Sequence, residues 1–228
     1  MLKKYIIVIA FFVGIITGMV QTNLIMPTAS SPNTPYYHGV RGNNNIALTI
    51  NVDWGEEYLK DMLQVLHNNN VKVTFFVTGK WANKNQDLLK LMSDLGHEIG
   101  NHGYSHAHPK QLTNEQLIDL IKKNEDLINQ ITNKRTNLFA PPYGEVDDRI
   151  ASVANSIGYS TIMWSADTID WQRPPAEVVA QRAINKIDDG GIILMHPTQP
   201  SLDALDRIIT TLKGRDYNFV TISELINK

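Results

Sequence analysis

Cysteine is absent from the 228-residue chain. That absence excludes disulfides, thiolate metal ligands and a cysteine nucleophile, so any metal must be held by histidine, carboxylate and water. A surplus of one charge is also missing. With 21 basic and 23 acidic residues the net charge is −2, which leaves no electrostatic footprint for nucleic acid. No sequence repeat or low-complexity run is apparent, which sets repeat arrays aside. What remains is 43% hydrophobic and 19% charged, enough for one substantial core and short for two full domains. The chain therefore reads as one domain behind an N-terminal address.

Met1 to Lys4 form a short basic start, and Tyr5 to Val20 follow without a charge. As a helix, that run would span about 24 Å, somewhat less than the roughly 30 Å hydrocarbon core of a bilayer. Extension through Leu24-Ile25-Met26 would make it long enough, and Thr28-Ala29-Ser30 offers a small-residue cleavage site before Ser31. Residues 1–22 are thus expected to be a signal peptide or a membrane anchor. Lys3 and Lys4 favour a cytoplasmic N-terminus, so either reading exports the rest. Residues 23–43, with Pro27, Pro32 and Pro35 among Ser, Asn and Thr, read as a linker, and 44–228 as the domain.

Within the domain, apolar strand-like runs alternate with helical patterns. Strands are expected near 46–52, 71–77, 97–100, 136–139, 159–163, 190–195 and 218–220, with helices near 56–67, 84–94, 113–131, 146–157, 175–187, 201–213 and 222–227. In the third helix, Thr113 and Gln116 stand in capping-box positions ahead of an apolar stripe from Leu117 to Ile131. Seven β-then-α units favour a parallel α/β fold, open or closed.

In such folds, reactive groups gather at the carboxyl ends of the strands. Asp53 follows the first strand, His102 and His106 the third, Tyr143 the fourth, Asp167 the fifth and His196 the sixth. Asp53, His102 and His106 are a plausible set of metal ligands that leaves positions open for water and substrate. The four-residue spacing puts both imidazoles on one face if the segment takes a helical turn. Asp53 has an alternative reading as a helix N-cap or turn carboxylate before Gly55. His67, His97 and His108 read as ordinary polar residues.

The motifs that carry these residues are Ile50-Asn51-Val52-Asp53-Trp54-Gly55, Asn101-His102-Gly103-Tyr104-Ser105-His106, Phe139-Ala140-Pro141-Pro142-Tyr143-Gly144 and Leu194-Met195-His196-Pro197-Thr198. Through them, residues from about 44 to 226 resemble the polysaccharide deacetylases with a NodB-homology domain, carbohydrate esterase family 4. The Ile-Asn-Val-x-Trp-Gly form of the first motif is similar to the sporulation-associated branch. The resemblance implies an irregular (β/α) barrel of about seven parallel strands. It also implies a divalent metal, zinc or cobalt-like, an N-acetylated glycan as partner, and hydrolysis of the glycan's N-acetyl amide. By that resemblance His196 matches the histidine that protonates the leaving amine. Asp167 matches a carboxylate that orients it or its neighbours, and Trp54, Tyr104, Pro142 and Tyr143 fall where substrate is bound.

Two positions depart from the family pattern. Asn51 stands where the family has a general-base aspartate and cannot accept a proton at neutral pH. Ala140 stands where an arginine usually holds that aspartate ionised, so the two losses are mutually consistent. Three readings follow: an exported metal-dependent deacetylase of peptidoglycan or a related envelope glycan, a homologue that binds glycan or an envelope partner without chemistry, and a hydrolase of another amide or ester. Membrane association would run through the N-terminal segment if it is not cleaved.

Overall fold

The computed structural model describes residues 33–226. The expected signal or anchor, and the linker up to residue 32, lie outside the described residues. Among the described residues no helix is long and apolar enough to cross a membrane.

Strand β1, Asn45–Val52, is the centre of the sheet, and all but its first residue are buried. It pairs in parallel with β2, Thr74–Val77, along Thr49 to Val52, and with β7, Ile192–Met195, along Ala47 to Ile50. The path continues from β2 through β3 (Glu98–Asn101) and β4 (Leu138–Phe139) to β5 (Ser160–Thr161), and from β7 to β6 (Ala166–Asp167). Strand β8, Asn218–Val220, pairs with the opening Asn45–Ala47 of β1. Seven parallel strands along one path, with β8 added beside β1, thus form a curled half-barrel flanked by helices, the expected (β/α) architecture.

Alternation along β1 decides which side chains reach the interior. Ile46, Leu48, Ile50 and Val52 join the main core, which they share with α1 (Glu56–Asn68), α6 (Ala176–Lys186) and α7 (Gln199–Lys213). Ala47 instead joins a smaller cluster with Phe76, Leu138, Ala140 and Ile162. Asn51 has the parity of Ala47, so the strand's pleat turns it away from the main core. Gly55 then stands at φ 81, and a side chain there would overlap the Pro197 carbonyl. Glycine is therefore what allows the ends of β1 and β7 to close on each other.

Three expectations are corrected. The helix expected at 84–94 forms as α3 (Gln86–Asp94), and a further helix absent from the sequence reading, α2 (Gly79–Lys84), precedes it across Asn85. The strand expected at 159–163 stops at Thr161, and Ala166–Asp167 form a separate strand across the curl. The later part of the expected linker is a strap: Tyr36 bridges to Ile162 and His38 to Gly191, and the Val40 N–H donates to the Leu225 carbonyl at 2.9 Å. Prolines and polar residues mark the lack of regular structure there, but backbone hydrogen bonds still pin the segment to the sheet. Helix α4, Asn114–Thr132, forms with the full Thr113–Gln116 capping box. Helices α5 (Asp148–Ser156) and α8 (Ile222–Leu225) complete the set.

Candidate active site

A groove of about 440 Å³ opens at the carboxyl ends of the strands, lined by Asn51, His102, His106, Tyr143, Asp167 and His196 with Trp54, Trp164 and Trp171. Residues from the ends of six strands therefore meet in one concavity, as the parallel topology requires.

One wall is built on His196. Its Nδ1 lies 2.8 Å from Asp170 Oδ1, and its backbone N–H donates to Asp170 Oδ2 at 2.6 Å. The Ser201 hydroxyl donates to the same Oδ2. Asp170 is fully buried, so a carboxylate without these donors would be expensive to keep. The Asp170–Nδ1 contact leaves His196 Nε2 as the atom available to substrate. Trp54 lies nearly parallel to the His196 ring, 7° between planes at 6.2 Å.

Asp170, not Asp167, therefore orients His196, which corrects the sequence expectation. Asp167 Oδ1 accepts from its own turn, the Ile169 N–H at 2.8 Å, while its residue faces the groove. The missed signal was the second aspartate of Asp167-Thr168-Ile169-Asp170, which lies past the end of β6 and is buried against residues that follow β7. Ile169 and Arg173, both at φ 53, flank this turn. A β-branched residue in that region is strained, and the anchored Asp170 lies next to it.

The opposite wall is built on the histidine pair. The two rings lie 5.1 Å apart, but no helical turn joins them. Gly103 at φ 77 and two bends place them instead. His102 is buried, and its Nδ1 lies 2.7 Å from the Ala140 carbonyl. Since a carbonyl only accepts, Nδ1 carries the proton and Nε2 is left with its lone pair. Burial, and then the neighbouring His106, push the His102 pKa down to about 3. Burial also lowers that of His106, against the opposing pull of Asp53. Two neutral imidazoles, one with its tautomer fixed from behind, are the donor chemistry a divalent metal requires.

Asp53 stands differently. Its Oδ1 accepts from the buried Thr78 hydroxyl at 2.7 Å, and it does not line the groove. Among the described residues no three His, Asp or Glu side chains come close enough together to hold one ion. The histidine pair fits a metal, then, while the third expected ligand is engaged from the side.

Asn51 lines the groove at 6% exposure, and Ala140 is buried in the small interior cluster. Neither supplies a base or a cation. Two further expectations are corrected. Tyr104 is turned to α4, where Lys123 Nζ lies 4.0 Å from its ring centre, and Pro142 is buried in the turn beneath Tyr143. The groove aromatics are Trp54, Tyr143, Trp164 and Trp171. Tyr143 at φ 59 is 55% exposed, with His106 edge-on at 4.2 Å and His108 stacked at 3.9 Å.

A parallel α/β half-barrel thus carries a histidine pair and an acid-held histidine in one aromatic groove. Comparison with known proteins places it further. The polysaccharide deacetylase family model matches residues 38–162, and the chain belongs to that family, which comprises hydrolases acting on carbon–nitrogen bonds and is generally metal-dependent. The chain is 39% identical over 194 residues to the uncharacterized protein YlxY of Bacillus subtilis, covering 85% of this chain and 61% of that one. It thus spans less than two thirds of that relative. It is 32% identical to the peptidoglycan-N-acetylmuramic acid deacetylase PdaA of Bacillus subtilis, covering 84% of this chain and 74% of the relative. Among solved structures it is similar to wild-type BA3943 of Bacillus anthracis, a CE4 family pseudoenzyme, with TM-score 0.83, 40% identity, and coverage of 86% of this chain and 70% of that one. A BA3943 mutant with restored enzymatic activity has the same TM-score.

Proposed function

We propose that this chain acts on N-acetylated envelope glycan, peptidoglycan by the example of its relatives, as a deacetylase whose acid side is complete and whose base side is vacated. The observation that carries this reading is the His196–Asp170–Ser201 array facing the His102–His106 pair across one groove. His102 and His106 would hold a divalent metal, zinc or cobalt-like, with Asp53 as the adjacent carboxylate. The metal, when bound, would supply Lewis-acid polarisation of the acetamide carbonyl. His196 Nε2 delivers a proton to the leaving amine, and Asp170 holds the ring and stabilises its charged form. The aromatic walls hold the sugar ring and exclude water.

At the base position Asn51 offers an amide. A missing general base lowers the rate about a hundred- to ten-thousand-fold, or about 3–5 kcal/mol of barrier. Turnover is therefore slow. The first-motif variant supports a sporulation-associated role, and the basic start followed by the charge-free run from Tyr5 to Val20 supports export.

A second reading, glycan binding without turnover, is favoured by the joint loss at Asn51 and Ala140 and by the likeness to a pseudoenzyme. One experiment separates the two: acetate release from peptidoglycan fragments and chitin oligomers, with zinc or cobalt added. Release by the wild type that disappears in His102→Ala and His196→Ala supports the deacetylase. Silence in the wild type beside calorimetric glycan binding assigns the second reading.

A further inference from the structure

His108 is unused by the mechanism, yet it is built into the groove wall. Its ring stacks on Tyr143 with 5° between planes and centres 3.9 Å apart. Its Nδ1 lies 2.8 Å from Glu145 Oε1, while Glu145 Oε2 accepts the Lys110 N–H at 3.2 Å. Both carboxylate oxygens are thus committed, one to the His108 ring and one to the loop that carries it. The contact with His108 is the first cause holding the Glu145 carboxyl below its ordinary pKa.

Tyr143 needs such support. Its backbone stands at φ 59, unfavourable for a residue with a side chain. The residue is 55% exposed, so core packing does not fix the ring. Its neighbour Gly144, at φ 65, packs so tightly on Trp164 that a side chain there would overlap the indole. One face of Tyr143 is covered by His108, and His106 approaches at 4.2 Å and 66°. The β3–α4 loop and the β4–α5 loop are therefore tied together at the groove by a series of contacts: Glu145 holds His108, His108 covers Tyr143, and Tyr143 borders His106.

We propose that His108 and Glu145 are positioning residues, a clamp that sets Tyr143 as the sugar-facing wall and fixes the orientation of the His106 ring. The proposal rests on the glycan reading above for its consequence and on geometry alone for the clamp. Removing the stack frees the Tyr143 ring to rotate, so a sugar must order it on binding.

The test uses the full chain and two readouts. Binding of a chitin oligomer is followed by calorimetry, and the ring protons of His106 by NMR with labelled histidine, since an aromatic ring at this distance displaces their resonances. His108→Ala is expected to weaken binding about three- to tenfold, the range of an aromatic pair, and to move the His106 signals. Glu145→Ala should act in the same direction. Glu145→Gln, which keeps an acceptor for Nδ1, should stay within about twofold of wild type, and thermal melting should show all variants folded. Unchanged binding with unchanged His106 signals in His108→Ala overturns the clamp. Wild-type protein that binds no oligomer refutes the glycan reading, and the His106 signals still decide the clamp. Equal loss in Glu145→Ala and Glu145→Gln would show that charge, not positioning, matters and would also overturn it.

Discussion

The two walls of the groove are made in contrasting ways. On the His196 side a buried carboxylate is bound to a ring nitrogen, a backbone N–H and a serine hydroxyl. On the β1–β4 side, Asn51 and Ala140 leave a neutral gap beside a histidine pair that is itself well supported, through the Ala140 carbonyl rather than the Ala140 side chain. The contrast teaches that a site's parts separate by what holds them. Groups fixed by backbone and buried carboxylates persist with the fold. The side chains of Asn51 and Ala140, by contrast, are buried and carry no charge.

The sharpest way to break the contrast is to refill the gap. Asn51→Asp should raise acetate release about a hundred- to ten-thousand-fold, measured as initial rate on peptidoglycan fragments with zinc present. At 6% exposure and without a cation at 140, the new carboxylate should have a raised pKa, so the gain should fade as pH drops. Equal rates in wild type and variant would place the base elsewhere.

Damage to the complete wall comes next. Asp170→Ala takes the acceptor from the His196 ring and backbone N–H and should destabilise the fold by about 3–5 kcal/mol in urea unfolding, whereas Asn51→Ala should be mild. Comparable losses at the two positions would end the distinction between the walls.

The third test lies at the opposite end of the strands. Burial, and then Lys72, hold the His97 pKa at about 4 against 6.5, and its Nδ1 accepts from the Val73 N–H at 3.3 Å. The folded state keeps this ring neutral, so its contribution is whole above pH 6.5 and lost as pH falls towards 4. It amounts to roughly 3 kcal/mol. His97→Asn, which can keep the acceptor, should flatten that part of the stability–pH curve, leaving the slope due to His102. The smallest effect is expected at Thr113→Ala, about 1 kcal/mol from the capping box, with acetate release unchanged.

Much of this was legible in the chain itself. The α4 capping box was fixed by local contacts three residues apart, and β1 by its apolar run. The convergence of His102, His106, Tyr143, Asp167 and His196 on one groove followed from strand order alone, because parallel strands send every βα loop to the same side; Asp53, expected with them, does not line it. Other features were not legible. Whether Asp167 or Asp170 meets His196 depends on where a two-residue strand, Ala166–Asp167, pairs with β7, and so short a strand leaves no periodic trace. Tyr104 falls within a site motif, yet α4 turns it away. His108 reads as an ordinary polar residue until Glu145, from a loop 37 positions on, is folded against it.

By itself, then, the sequence determined the family, the parallel α/β order and the strand ends that carry the groove residues, because these rest on residue identity and local periodicity. Only the tertiary structure decided which carboxylate serves His196, that Thr78 engages Asp53, and that His108 and Glu145 brace Tyr143. Each of these depends on the approach of side chains from separate loops, and that approach is set by how the whole sheet curls.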